Sequence, residues 1–243
     1  DVPRGKIHLH RHTSRTYNDL RGYAVYTPPG YEEETEKTYP TLYLLHGYSD
    51  DERTWSNTGR AGVIMDNLLA MELAIPMLIV MPHGYAPPEE GDVDGDWGVW
   101  FSKVSSRLEP YIVDELRRQV ESEYRAKKSA SGRAIAGLSM GGGQSLFFGL
   151  KNTNVYSWIG AFSSAIELPL FKPHLAEAKE VNSNIELLWV GCGTEDFLFE
   201  RNSDFLNFLS ANNISHVAHV SQGDHSWPVW HSYLREFAML IFK

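Results

Sequence analysis

The sequence predicts an α/β fold, a mostly parallel sheet with helices on both faces, and three observations predict it. Short apolar runs of strand length, at 41–45 and 77–81, are too continuous for half-exposed strands and read as strands buried on both faces. Segments with helical periodicity alternate with such runs along the whole chain, the pattern of βαβ units. At 133–143, Arg-Ala-Ile-Ala-Gly-Leu-Ser-Met-Gly-Gly-Gly, an apolar run passes through one serine into a glycine-rich helix start. That is the layout of a sharp strand-to-helix turn that lifts the oxygen of Ser139 above a sheet. A Cβ at Gly137 or Gly141 would crowd the neighbouring backbone of such a turn.

Length and charge narrow the possibilities further. The chain has 243 residues, enough for one α/β domain with a sizeable core. No linker, repeat or low-complexity tract divides it, so residues 1–243 read as a single domain. A formal net charge of −9 argues against a nucleic-acid partner and against docking on anionic lipid. No apolar run approaches the ~20 residues that span a bilayer. Cys192 is the one cysteine, so no intrachain disulfide can form and either redox compartment is compatible. The sequence opens at Asp1 without methionine, as expected of a mature chain or an excised domain.

Residues 7–27 read as two strands, the second stopped by Thr27-Pro28-Pro29-Gly30. Within the first, His8, His10 and His12 alternate and must share a face. Imidazoles in a row can bind a metal, but a solvated face of an edge strand is the preferred reading, and no metal site is assigned. The strand at 41–45 leads into His46-Gly47-Tyr48, the loop that in this layout supplies a backbone N–H to an oxyanion. The Tyr48 amide is the first choice and Ser49 the second. His46 reads as a structural residue bonded to the loop backbone rather than as a base. A helix follows at 59–73, with Val63, Ile64, Leu68 and Met71 on its apolar stripe, then a strand at 76–82 closed by prolines.

An acidic loop at 84–98 contains Asp92-x-Asp94-x-Asp96. It fails as a calcium loop, because Trp97 stands where the turn needs glycine and Lys103 where a bidentate glutamate belongs. It reads as a solvated loop near the mouth of the site. An amphipathic helix at 108–124 precedes the serine turn. Strands at 156–162, 185–192 and 216–220 alternate with a helix at 202–211, and a helix at 228–241 ends the chain. Right-handed crossovers place every strand's C-terminal end on one rim, where ligands bind in open α/β sheets. Tyr48, Ser139, Asp196 and His225 all fall just after strands and converge there.

A serine hydroxyl needs a base to take its proton and a buried acid to orient that base. Ser139, Asp196 and His225 occur in the nucleophile–acid–histidine order of the α/β-hydrolase fold. Glu195 and Asp204 are rival acids, the latter discounted because it falls inside a helix. His216, His219 and His231 are rival bases placed in a strand or a helix, whereas His225 lies in a loop. The expected chemistry is acyl transfer to Ser139, with the amides of Met140 and Tyr48 holding the oxyanion, and it calls for no cofactor and no metal. Cys192, inside a strand, reads as a packed core residue. Among seven tryptophans, Trp158 and Trp189 lie in strands and read as core. Trp55, Trp100, Trp227 and Trp230 fall in loops or helix starts near the rim, alongside Trp97. Their flat faces suit sugar rings and phenolic acyl groups, and those four are the substrate-binding candidates.

Several segments together carry a family resemblance: Leu44-Leu45-His46-Gly47; Gly59-Arg60-Ala61 with Val63-Ile64 and Asp66-Asn67-Leu68; the stretch from Ala134 through the triple glycine to Ser145; Cys192-Gly193-Thr194 with Asp196; and His225 with Trp227 and Trp230. On these the chain resembles carbohydrate esterase family one, and within it the bacterial feruloyl esterase domains of xylan-degrading enzymes. The resemblance runs from about residue 20 to the C-terminus. It implies hydrolysis of feruloyl or acetyl esters on plant cell-wall xylan, with Ser139, Asp196 and His225 as the triad. It also implies a secreted or cell-surface protein, which in this family can be one domain of a larger enzyme. Other acyl groups, acyl transfer, and a silent carbohydrate-binding module of the same fold are the alternatives. The chain departs from the family pattern at Asp224, where glycine is common. The charged stretches 50–53 and 92–96 depart from it too, and both are expected to border the substrate cleft.

Overall fold

A computed structural model describes residues 2–90, 92 and 95–243. The strands are β1 Lys6–Thr13, β2 Leu20–Thr27, β3 Thr41–Leu45, β4 Leu78–Pro82, β5 Arg133–Leu138, β6 Trp158–Phe162, β7 Leu187–Gly193 and β8 Val217–Ser221. They form one sheet in the order β1-β2-β4-β3-β5-β6-β7-β8. β1, β2 and β4 pair antiparallel, and every pair from β4 through β8 is parallel. The mostly parallel α/β sheet inferred from the alternating pattern is therefore present, and the C-terminal ends of β3 to β8 share one rim.

Alternation along the strands sends side chains to two cores. Tyr43, Leu45 and Ile135 face one side, where the helices Trp97–Glu109, Met140–Lys151 and Phe199–Ala211 bury Phe101, Leu146 and Phe205. Leu42, Leu44 and Ala136 face the other, where Ala61–Ala70 and Trp227–Leu240 bury Met65, Leu68, Tyr233 and Phe237. Phe237 is fully buried, and truncating such a ring costs about 3–5 kcal/mol. Trp189 and Trp158 are core residues as the strand positions implied, and Cys192 is buried with its thiol pushed up to about 12 by desolvation.

Two expectations are corrected. The helix placed at 108–124 begins at Trp97, because the Asp96 carboxylate accepts the amides of Gly98 (2.8 Å) and Val99 (3.3 Å) and caps it. The helix widens into π-type turns over Pro110–Leu116, where proline has no N–H to give, and narrows again at Arg117–Glu123. The acidic stretch therefore ends in a helix, which carries Trp97 and Trp100. Asp94 lies outside the described residues; Asp92 is paired with Arg107 and Asp96 is used as the cap.

The second correction concerns the β1 histidines. Ile7, Leu9 and Arg11 form the exposed face of the strand, and His8, His10 and His12 are half-buried against tyrosines. His10 stacks on Tyr23 with ring centres 4.6 Å apart, and its Nε2 lies 2.6 Å from the Tyr124 hydroxyl. Period-two alternation places the three on one face but does not say which face turns inward. No helix of the described residues is long and apolar enough to cross a membrane.

Candidate active site

At the tip of β5 the chain reverses into the helix Met140–Lys151 through Ser139, which adopts φ 54° and ψ −116°. A non-glycine residue there stores about 1–3 kcal/mol of strain and persists only where its surroundings dictate it. Here they do. The Ser139 N–H donates to the Phe162 carbonyl (2.8 Å), and the Ser139 carbonyl accepts from Ala165 (2.9 Å) and Gly143 (3.1 Å). The flanking glycines are a steric requirement. A Cβ on Gly137 would lie 2.6 Å from the Gly141 carbonyl, and one on Gly141 would lie 2.4 Å from the His46 carbonyl oxygen. Both obstacles are backbone, which cannot rotate away.

The loop after β8 carries His225 over this turn. Its Nε2 stands 2.9 Å from Ser139 Oγ, and its Nδ1 lies 3.0 and 2.9 Å from the two Asp196 oxygens. A carboxylate only accepts, so Nδ1 carries the proton, Nε2 is the lone-pair nitrogen, and the serine hydroxyl donates to it. Asp196 follows β7 and is 5% exposed. Burial raises its pKa, but the bonds from His225 and from the Leu198 amide (2.8 Å) outweigh this and hold the carboxyl below its ordinary range. The rivals do not reach this position: Asp204 lies within the helix Phe199–Ala211, and Glu195 is exposed. Among the other histidines, His216 contacts the Ile214 carbonyl, His219 pairs with Glu236, and His231 contacts the Thr58 carbonyl.

The two backbone amides expected to hold an oxyanion, those of Met140 and Tyr48, are both without a hydrogen-bond partner among the described residues. Met140 is the first residue of its helix, so its N–H has no intrahelical partner and sits at the positive end of the dipole. The Tyr48 amide makes no hydrogen bond among the described residues, whereas that of Ser49 is taken up by the Tyr85 hydroxyl at 2.6 Å. That difference favours Tyr48 over Ser49 as a donor. The loop is braced from below by His46, which is 1% exposed. His46 Nδ1 lies 2.8 Å from the Gly47 carbonyl, and its Nε2 accepts the Gly84 amide at 2.8 Å. Gln144 donates to the Gly84 carbonyl at 3.0 Å, so both sides of that glycine are held. Burial pulls the His46 pKa down to about 4, so the ring is neutral at pH 7 and both nitrogens are engaged by the backbone.

The aromatic candidates divide. Trp55 is 1% exposed and donates its indole N–H to the Leu45 carbonyl (2.9 Å), and Trp230 is 7% exposed. Neither has an open face for a substrate, so the expectation that they bind one is corrected. Instead Trp55, Trp227 and Trp230 form a chain of perpendicular contacts that ends on the His225 ring, 4.9 Å from Trp230. Trp227 is half-buried within that chain. Trp100 is half-buried too, but it packs 5.7 Å from the exposed ring of Tyr48, with Trp97 4.8 Å beyond. Two aromatic rings beside the site are not singled out by the sequence: the ring of Tyr48, a residue named there only for its amide, and Phe197, which lies 4.5 Å from His225. The one signal for Phe197 was an apolar residue in a loop directly after the candidate acid.

Known proteins resemble the chain over most of its length. The Esterase family model matches residues 14–239, and the chain belongs to that family. It is 28% identical over its whole length to an endo-1,4-beta-xylanase/feruloyl esterase of Xylanibacter ruminicola, and spans 32% of that relative. It is 23% identical to an acetyl esterase of Caldicellulosiruptor saccharolyticus, with 80% of each chain covered. Among solved structures, a ferulic acid esterase superposes with a TM-score of 0.82 at 28% identity, covering 97% of this chain and 96% of its own. A CE1 ferulic acid esterase from Anaeromyces mucronatus shares the fold with a TM-score of 0.83 at 23% identity, over 99% of this chain and 92% of its own.

Proposed function

We propose that residues 1–243 act as one serine esterase domain, which hydrolyses hydroxycinnamoyl esters on xylan through an acyl-enzyme at Ser139. The observation that carries this is the unbroken hydrogen-bonded line from Ser139 Oγ through His225 to Asp196. In the first half-reaction Ser139 attacks the ester carbonyl while His225 Nε2 takes its proton. Asp196 holds the imidazole in the correct tautomer and stabilises its positive form. The amides of Met140 and Tyr48 receive the developing oxyanion, and one such donor is worth about 3 kcal/mol of barrier. His225 then protonates the departing alcohol. In the second half-reaction water, deprotonated by His225, attacks the acyl-serine and the acid leaves. The chemistry is complete with side chains and amides alone.

An aromatic acyl group is favoured over acetyl by the Tyr48, Trp97 and Trp100 cluster, which lies on the loop and helix beside the oxyanion amides. These rings, packed edge-on and tilted, supply apolar area that a methyl group would leave idle. The two relatives named for xylanase/feruloyl esterase activity and for ferulic acid esterase activity support the same substrate class. A secreted or cell-surface setting follows if xylan is the substrate.

The test is covalent capture. Treated with an aryl sulfonyl fluoride, the protein should gain one adduct, on the peptide bearing Ser139, and lose turnover of methyl ferulate in proportion. An adduct elsewhere with full loss of activity removes the nucleophile assignment. Faster release of acetate from acetylated xylan than of ferulate from methyl ferulate would move the acyl preference to acetyl.

A further inference from the structure

Phe197 is the most exposed large apolar side chain of the described residues, at 76%. Its ring lies 4.5 Å from the His225 imidazole at an interplanar angle of 50°. A ring left so open contributes little to folding, since three-quarters of it stays in water. Its position is nevertheless well fixed. The Asp196 N–H donates to the Gly193 carbonyl (3.2 Å), the Leu198 N–H to Asp196 Oδ1 (2.8 Å), and the Phe199 N–H to the Asp196 carbonyl (2.9 Å). The turn that aims the carboxylate of Asp196 at His225 therefore also holds Phe197 beside that imidazole.

The chemistry says what passes that spot. When the tetrahedral intermediate collapses, the proton on His225 Nε2 must reach the leaving oxygen across a hydrogen-bond distance. The alcohol half of the ester therefore lies against the imidazole, and the acyl half lies away from it. The imidazole has the buried Trp230 on one flank, perpendicular at 88°, and the exposed Phe197 on another. Of the two rings, Phe197 alone is open to a ligand. The Tyr48, Trp97 and Trp100 cluster sits instead on the loop proposed to supply an oxyanion amide and on the helix Trp97–Glu109 packed against it.

We propose that Phe197 is the platform for the leaving alcohol, a sugar ring whose C–H face rests on its π-cloud, and that it sets the preference for sugar esters over simple alkyl esters. This deepens the esterase reading and rests on it. The electron-rich face of a benzene ring attracts the slightly positive C–H groups of a saturated ring. Methanol is too small to use such a platform, whereas an arabinose or xylose ring covers it.

The experiment holds the acyl group constant and changes only the alcohol. kcat/KM is measured for methyl ferulate and for a feruloylated arabinoxylo-oligosaccharide, with wild type, Phe197→Ala and Phe197→Trp. In Phe197→Ala the ratio of sugar ester to methyl ester should fall about tenfold, the size of one stacking contact, mainly through KM. Phe197→Trp should keep or raise it. An unchanged ratio overturns the proposal, whether both esters slow together, which would make Phe197 a prop for His225, or neither slows. Wild type that cleaves neither these esters nor the corresponding acetyl pair would overturn the esterase reading itself. That outcome is visible before any variant is made.

Discussion

Three histidines on β1 stand at one edge of the sheet, and one histidine after β8 stands at the other. The first group is denser in titratable chemistry, yet it has none of the wiring of the second. His8 reaches Thr27, and His10 contacts a tyrosine hydroxyl; His12 has both ring nitrogens buried without a hydrogen-bond partner, and the Glu115 carboxylate, 3.6 Å from its Nε2, accepts instead from the amides of Arg15 and Thr16. Burial lowers the pKa of His10, which favours the neutral ring. His225 has a buried carboxylate on one nitrogen and an alcohol on the other. An imidazole becomes a base through what flanks it, and the parallel half of this sheet delivers those flanking groups because its strand ends converge. The antiparallel edge delivers tyrosines and one carboxylate, Glu115, which is committed to the Arg15 and Thr16 amides.

The sharpest break in that comparison is Ser139→Ala. Turnover of an aryl ester should fall on the order of 10⁴- to 10⁶-fold with melting temperature little changed, since alanine keeps the Cβ and the strained backbone of the turn and the hydroxyl serves no packing role. Substantial residual turnover would mean that the flanking groups do not constitute the site. Asp196→Asn should cost on the order of 10³- to 10⁴-fold in kcat, because an amide can present its N–H to His225 Nδ1 and so stabilise the wrong tautomer. A loss under tenfold would show that the carboxylate is merely structural.

Gly141→Ala probes the turn rather than the chemistry. Its new methyl would meet two backbone carbonyls, those of His46 and Leu45, and stability in urea should drop by about 3 kcal/mol or more. Full stability would contradict the close approach at this turn.

His46 sharpens the comparison from another side, as a histidine at the reactive rim with no acid–base role. Its folded pKa of about 4 lies below the ordinary 6.5, so between those values the unfolded chain binds more protons. Its contribution is fully present above pH 6.5 and declines as pH falls towards 4, by about 3 kcal/mol in all. Urea unfolding at pH 4.5 and 7.5 should show a steeper loss in wild type than in His46→Gln. Equal slopes would mean that the ring is not held neutral.

The smallest effect belongs to the β1 row. In His12→Phe the buried nitrogens disappear, the stacking on Tyr111 remains, and Glu115, 3.6 Å from the lost Nε2, keeps its bonds to the Arg15 and Thr16 amides. kcat/KM should stay within about twofold, with stability equal or up to about 1 kcal/mol higher. A large loss of activity would give the row a function that its surroundings do not suggest.

Much of this was legible from residues alone, for local reasons. The turn at Ser139 is written in adjacent residues because its steric demands act over five positions, and only glycine meets them at 137 and 141. The order of Ser139, Asp196 and His225 was readable because each follows a strand, and parallel strands end on one side. His46 was readable as a structural residue because it ends a buried strand. Other features depended on the packed molecule. Adjacent acids, Glu195 and Asp196, are distinguished by which one the turn folds inward. Trp55 and Trp100 look alike as loop or helix-start aromatics, yet one is sealed under the loop and the other packs beside the exposed Tyr48. The helix at Trp97 was obscured because Gly95, Gly98 and Pro110 weaken its propensity, while the Asp96 cap and burial of Phe101 restore it. Periodicity put the three β1 histidines on a common face, and only the helix packed over that face, with Tyr111 and Tyr124 beside it, turned them inward. Patterns carried by neighbouring residues survive in a string of letters; the choice between equivalent faces, or between equivalent side chains, is made by contacts between residues a hundred positions apart.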